Sequence, residues 1–275
     1  MIALITLSAA GAQIADQLAA AIHDTRVYLH DSVDVPIPAE RFSRTFDLVA
    51  QIFNQARGLV FIAPCGVAVR AVAPHIRHKR CDPAVVVVDV GARHAVSLLG
   101  GHEGGANDLA LTIGNLLDAE PVISTTSEAA RDIIVGIGCR RDAPAATIVQ
   151  AVQTVLASEA IGLDRVRYLA TADVKRNEPG LLQAARELGL GLRIVSSERI
   201  RAAGAAFTPS EFVKAKVDLP AVAEPAALLA GWRTSLIRQK TIINSVTVAI
   251  ARENFSWSAS VPGDPRTAPG GLKRP

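Results

Sequence analysis

The run Gly100-Gly101-His102-Glu103-Gly104-Gly105-Ala106-Asn107 carries the strongest chemical signal in the sequence. Four glycines around a His-Glu pair let a ligand come close to the backbone. A helix starting there would turn free N–H groups and the positive end of its dipole toward an anion. The run is not G-x-G-x-x-G, and no Gly-Lys-Ser/Thr follows to make a phosphate loop. It is not an H-E-x-x-H zinc motif either, because Ala106 holds the last position. The plainer alternative is a tight turn ahead of a helix cap.

Three further groups could bind or react. Arg70, His75, Arg77, His78, Lys79 and Arg80 form a run with no acid among them before Asp82, and would make a cationic face for carboxylates or a solvated loop. Cys139-Arg140-Arg141 follows an apolar run, where paired arginines suit bidentate carboxylate binding. No base stands near Cys139 in sequence, so it reads as a small packed hydrophobe. Thr171, Asp173, Lys175 and Glu178 form a polar loop after another apolar run.

The elements that must position these residues alternate. Ile2–Leu7, Val27–His30, Leu59–Ala63 and Ala84–Asp89 read as strands, the last with four consecutive valines that suit a strand covered on both faces. His94–Leu99 is a hairpin or parallel neighbour of that strand. Helices are expected over Ala12–Ile22, Phe46–Gln55 and Val67–Ala73, the last stopped by Pro74. Ala106, Leu109, Ala110, Ile113, Leu116 and Leu117 fall on one helical face directly after the glycine-rich run. Pro121–Ser124 begins another strand, and a boundary falls near Ser127–Arg131. Beyond it, strands at Ile133–Ile137, Val166–Ala170, Leu192–Val195 and Val246–Ala251 alternate with helices from Ala145, over Pro179–Leu188 and over Ala221–Ala230. The fold class is therefore α/β: two α/β domains with largely parallel sheets, over 1–128 and 132–255, followed by a disordered C-terminal tail over 256–275.

Composition excludes several classes. A chain of 275 residues that is 49% hydrophobic and 20% charged can bury a core, so it is not a disordered protein. The longest apolar stretch, Gly58–Val69, is short of the roughly 18 residues of a membrane span and contains Pro64. Met1–Ala15 lacks the basic start of a signal peptide and reads as structure. Of the net charge of +3, Arg266, Lys273 and Arg274 against Asp264 leave two units in the tail. The rest is near neutral, so nucleic acid is not an expected partner. Three scattered cysteines, Cys65, Cys81 and Cys139, suggest neither a disulfide framework nor a metal site, and a reducing cytoplasm fits them.

Taken in order, several segments resemble one family. Gly58-Leu-Val-Phe-Ile, Gly66-Val-Ala-Val-Arg70-Ala-Val-Ala-Pro74, Asp82-Pro-Ala-Val-Val-Val-Val-Asp89 and Ser97-Leu-Leu-Gly-Gly-His102-Glu-Gly-Gly-Ala-Asn107 resemble the N-terminal region of the CbiG family, the cobalt-precorrin-5A hydrolases of anaerobic cobalamin biosynthesis. Gly136-Ile-Gly-Cys-Arg-Arg141, Leu169-Ala-Thr-Ala-Asp-Val-Lys175, Glu178-Pro-Gly-Leu-Leu182, Pro209-Ser210-Glu211 and Val246-Thr-Val-Ala-Ile-Ala251 resemble the C-terminal domain shared by CbiG and CobE proteins. The likeness runs from Ile2 to Arg252. Two departures stand out: Pro64-Cys65 replaces the usual small polar residues, and Thr125–Arg131 leads almost directly into Ile133 where many members carry a middle domain.

The resemblance implies opening of the ring A lactone of a cobalt corrinoid and loss of the C20 carbon with its methyl group as acetaldehyde. It implies no cofactor, since the cobalt is part of the substrate. For that reaction His102 is the candidate base and Glu103 its orienting group or substitute. Gly104 and Gly105 would supply oxyanion N–H donors. Arg70, Asn107, Arg140, Arg141, Lys175 and Glu178 are the remaining candidate substrate-binding residues, the basic ones toward the substrate's acid arms. Other enzymes of the pathway are candidate partners. A non-catalytic corrinoid carrier and a nucleotide-binding enzyme are the competing readings.

Overall fold

A computed structural model describes residues 1–203 and 221–254. The Pro209-Ser210-Glu211 motif and the expected tail lie outside the described residues. The first half contains β1 (Ile2–Thr6), α1 (Ala9–Ala21), β2 (Thr25–His30), β3 (Glu40–Phe42), α2 (Thr45–Ile52), β4 (Gly58–Ile62), α3 (Cys65–Val72), β5 (Ala84–Val88), β6 (His94–Leu99), α4 (Ala106–Leu117) and β7 (Glu120–Val122). After α5 (Thr126–Ala129) come β8 (Ile133–Cys139), α6 (Ala145–Ser158), β9 (Val166–Ala172), α7 (Pro179–Leu188), β10 (Gly191–Val195) and α8 (Ser197–Ala202). The last described elements are α9 (Ala223–Leu229), β11 (Thr234–Ile243) and β12 (Val246–Glu253).

Two sheets result, ordered β3-β2-β1-β4-β5-β6-β7 and β10-β9-β8-β12-β11. Every residue of β1, β4 and β5 is buried, because helices cover both faces of these parallel strands. The same holds for the middle of the second sheet. Ile133, Val135 and Ile137 face α6 and α7 on one side, and Ile134 and Ala170 face α8 and α9 on the other.

One reversal decides where the glycine-rich run goes. β6 pairs with β5 antiparallel, Val88 against Ala95 and Val85 against Leu99. Asp89 holds the connecting turn by accepting the N–H groups of Gly91, Arg93 and His94. The loop after β6 therefore lies beside the start of β5, at the amino ends of β1, β4 and β5. There Gly100 adopts φ +72°, and a Cβ on it would stand 2.9 Å from the Pro83 carbonyl oxygen. Only glycine combines that φ with that approach.

The sheets meet through the second half of α4. Asn115 Nδ2 donates to the Leu192 carbonyl at 2.7 Å, and Asn115 Oδ1 accepts the Ile194 N–H at 2.9 Å. The carboxamide thus pairs with the outer edge of β10 as a neighbouring strand would. Arg193, fully buried, donates to Asn115 Oδ1 at 3.1 Å and to the Ala119 carbonyl at 2.9 Å. Ser196 donates to Asp118, and Arg176 to the Asn115 carbonyl.

The sequence reading leaves 231–245 without an element, yet β11 occupies most of it. Its centre is Arg-Gln-Lys, it is half-exposed along its length, and its pairing with β12 shifts at Arg238. It turns into β12 through Asn244 and Ser245, both at positive φ, the two-residue hairpin geometry.

Candidate functional site

The glycine-rich loop is built around its own hydrogen bonds. Gly105 donates to the His102 carbonyl at 3.1 Å, Ala106 to Gly100 at 3.0 Å and Asn107 to Gly101 at 3.0 Å. Gly105 is left-handed and stands just ahead of α4. Its N–H is thus spent inside the loop, whereas no backbone carbonyl among the described residues takes that of Gly104.

Asn107 is buried and ties three segments together. Its Oδ1 accepts the Ser97 hydroxyl at 2.8 Å, and its Nδ2 donates to Thr125 Oγ1 at 3.2 Å. Its role is to bring β6, α4 and the segment after β7 to one place. A Cβ at Gly101 would stand 2.7 Å from Thr125 Cγ2 and 3.1 Å from Asn107 Oδ1, so the closeness of that segment depends on glycine. The result is a hydrogen bond between His102 Nε2 and the Ser127 hydroxyl, both residues being exposed.

The cationic run joins this loop. Buried Asp82 accepts the Arg77 N–H at 3.1 and 3.2 Å, which folds residues 77–82 against Gly104. Lys79 Nζ then pairs with Glu103 at 3.0 Å. That hydrogen bond is the chief cause holding the Glu103 carboxyl below its ordinary range. Two of the groups singled out from the sequence are therefore one surface.

The other candidates lie elsewhere. Lys175 and Glu178 bond each other at 3.2 Å, and buried Glu178 also accepts the Asp142 N–H at 2.6 Å, fixing the turn after Cys139. Arg140 and Arg141 are exposed on that turn, and neither side chain makes a hydrogen bond or ion pair among the described residues. This group sits at the end of β8, whereas Ser127 and α5 precede its start. Seven residues of β8 separate the two groups by about 20 Å. Arg70 is in a third place: its Nη1 folds back to the Gly66 carbonyl at 3.2 Å, toward the start of α3 and away from the loop. Asp173 is used in capping, accepting both the N–H and the hydroxyl of Ser197.

Burial pushes the Cys139 thiol up to about 11, with Lys175 opposing and Glu178 adding to the shift. It stays protonated at neutral pH, where the thiolate is the nucleophile. At pH 7.5 iodoacetamide should therefore modify the exposed Cys65 and Cys81 and leave Cys139 intact until the pH nears 11. Peptide mass mapping of the labelled protein reads this directly. Rapid labelling of Cys139 at pH 7.5 would contradict its assignment to packing.

Sequence reasoning missed Ser127, Thr125 and Ser97 as members of the loop site. The only signal for Thr125 and Ser127 was a hydroxyl-rich stretch, Ser124 to Ser127, after a short strand, and Ser97 lay inside the strand that precedes the glycine-rich run. Among the described residues, no group of three or more His, Cys, Asp or Glu side chains is placed to hold a metal ion. No helix among them is long and apolar enough to cross a membrane.

Two family models match the chain: Cobalamin synthesis G N-terminal over residues 47–128 and Cobalamin synthesis G C-terminus over 133–251. The Protein CobE of a Sinorhizobium species is 31% identical over 128 residues, 46% of this chain and 83% of that protein. The chain belongs to the cobalamin synthesis G family. Its place is in cobalamin biosynthesis. Within the family, it is similar to a cobalt-precorrin-5A hydrolase of Salmonella typhimurium, 25% identical over 323 aligned positions that cover 83% of this chain and 91% of the relative. A cobalt-precorrin-5A hydrolase of Priestia megaterium is 22% identical over 352 positions, covering 90% and 94%. Both alignments are longer than the chain itself, so each relative contributes stretches with no counterpart here. The family's two models meet at α5, which follows directly on the segment that Asn107 holds.

Proposed function

We propose that this protein is a cobalt-precorrin-5A hydrolase that opens the ring A lactone and releases acetaldehyde. The observation that carries this reading is the match to hydrolases of that name along nearly their whole length. The loop supplies chemistry suited to it. His102 takes the proton of the attacking nucleophile and returns it to the departing lactone oxygen. The unspent N–H of Gly104, two residues ahead of α4, is the donor available to the charge that develops on the carbonyl oxygen. Lys79 and its neighbours offer cations to the substrate's carboxylates. Glu103, kept ionised by Lys79, sits beside the base. Incubation with cobalt-precorrin-5A, followed by product mass and acetaldehyde assay, tests the reading, and binding without acetaldehyde would leave a carrier. The free thiols, two of them exposed, favour the cytoplasm as the place of reaction.

Arg140 and Arg141 we assign to acid arms on the side of the corrinoid away from the lactone. Arg140→Ala and Arg141→Ala should each weaken binding by about 1–3 kcal/mol and leave kcat unchanged. Equilibrium titration of each variant decides this, and an unchanged Kd would confine the substrate to the loop end of β8.

A further inference from the structure

We propose that Ser127 is the nucleophile of this site, with His102 as its base. The proposal rests on the hydrolase reading for its substrate and on the loop geometry for everything else. A serine hydroxyl is a weak nucleophile unless a base within hydrogen-bond reach takes its proton. Ser127 Oγ has such a base in His102 Nε2. The other ring nitrogen, Nδ1, has no hydrogen-bond partner among the described residues. With its proton on Nδ1, the ring accepts the Ser127 hydroxyl at Nε2.

The pair is held from both sides. His102 is fixed through the Gly105 N–H that its carbonyl accepts. Ser127 is fixed through Thr125, which Asn107 bonds while also accepting from Ser97. Asn107 and Thr125 are positioning residues, since they act through the segment that carries Ser127. Both members of the pair are open to solvent, beside the start of α4 and the spare Gly104 N–H. Nucleophile and base thus stand on one short stretch of surface, with the Gly104 N–H two residues along the chain from the base.

The chemistry balances in two steps. Ser127 Oγ bonds to the lactone carbonyl carbon as its proton passes to His102 Nε2, and the carbonyl electron pair moves on to oxygen. That pair returns, the ring C–O bond breaks, and the departing oxygen takes the proton from His102. An ester on Ser127 and a free hydroxyl remain. Water then adds to the ester with its proton going to His102, and Ser127 leaves with that proton. One water is consumed and the acid arm is set free.

The test uses the full chain with p-nitrophenyl acetate and, separately, cobalt-precorrin-5A. The ester should release nitrophenolate in a burst stoichiometric with protein, and fragmentation mass spectrometry should place the acetyl group on Ser127. Ser127→Ala should abolish the burst and lower corrinoid turnover about 10³-fold or more, with an unchanged circular dichroism spectrum. Ser127→Cys should restore acylation. Absence of an adduct on Ser127, or near-normal turnover by Ser127→Ala, overturns the proposal; if acetaldehyde still forms, the hydrolase reading survives. Acylation of Ser127 by a protein that releases no acetaldehyde from cobalt-precorrin-5A does the reverse, upholding the nucleophile and removing the substrate.

Discussion

His102→Ala should lower turnover of cobalt-precorrin-5A by about 10²–10⁴-fold, the range that a positioned base contributes. Substrate binding should persist, because the cations beside the loop are untouched. The fold should persist too, since the imidazole is exposed and its one side-chain bond among the described residues is to Ser127. Single-turnover kinetics with acetaldehyde detection separates the chemical step from binding. A folded variant with near-normal acetaldehyde release would pass the role to Glu103, because Asp173 is already bonded to Ser197. Glu103 is a poor substitute: Lys79 holds its carboxyl below the ordinary range, so it takes up a proton reluctantly.

The second large effect concerns stability. Asn115→Ala removes the only carboxamide that pairs with the β10 edge among the described residues. The Ile194 N–H, the Leu192 carbonyl and one Arg193 Nη would each lose a partner. A buried group left unsatisfied costs about 1–3 kcal/mol, and an uncompensated buried cation more. Arg193 has little in reserve, since its Nε is already unpartnered and Glu120 stands 3.9 Å away. The expected loss is about 3–5 kcal/mol, read as a lower urea midpoint at unchanged slope. A loss below about 1 kcal/mol would mean that water fills the gap as well as the carboxamide does.

Local pattern made much of this fold readable. β1, β4 and β5 are continuous apolar runs because both their faces are covered, and α4 shows its apolar stripe at helical spacing, so its observed span of Ala106–Leu117 follows from sequence. The direction of β6 is not a local property. Neither alternation nor propensity says which way a strand runs, and on that direction depends the meeting of Glu103 with Lys79. Arg193 is similar. Its residue type places it at a surface, and only the arrival of Asn115, off the apolar stripe of α4, makes the buried position tenable. Ser127 carried no signal beyond its hydroxyl-rich stretch, because its partner lies across a sheet pairing, β6 with β7, that three residues of β7 barely announce.

The seating of α4 on β10 also bears on solubility. An outermost strand with unsatisfied N–H and C=O groups is a template on which a second molecule can add its own strand. Here a helix from the first half lies along that margin, and Asn115 occupies the groups at its middle. The first half is therefore a guard as well as a scaffold, keeping the second sheet from growing by recruitment of its own kind. At the opposite margin β11 relies on another device, a charged centre and a broken register, which fit an incoming strand poorly.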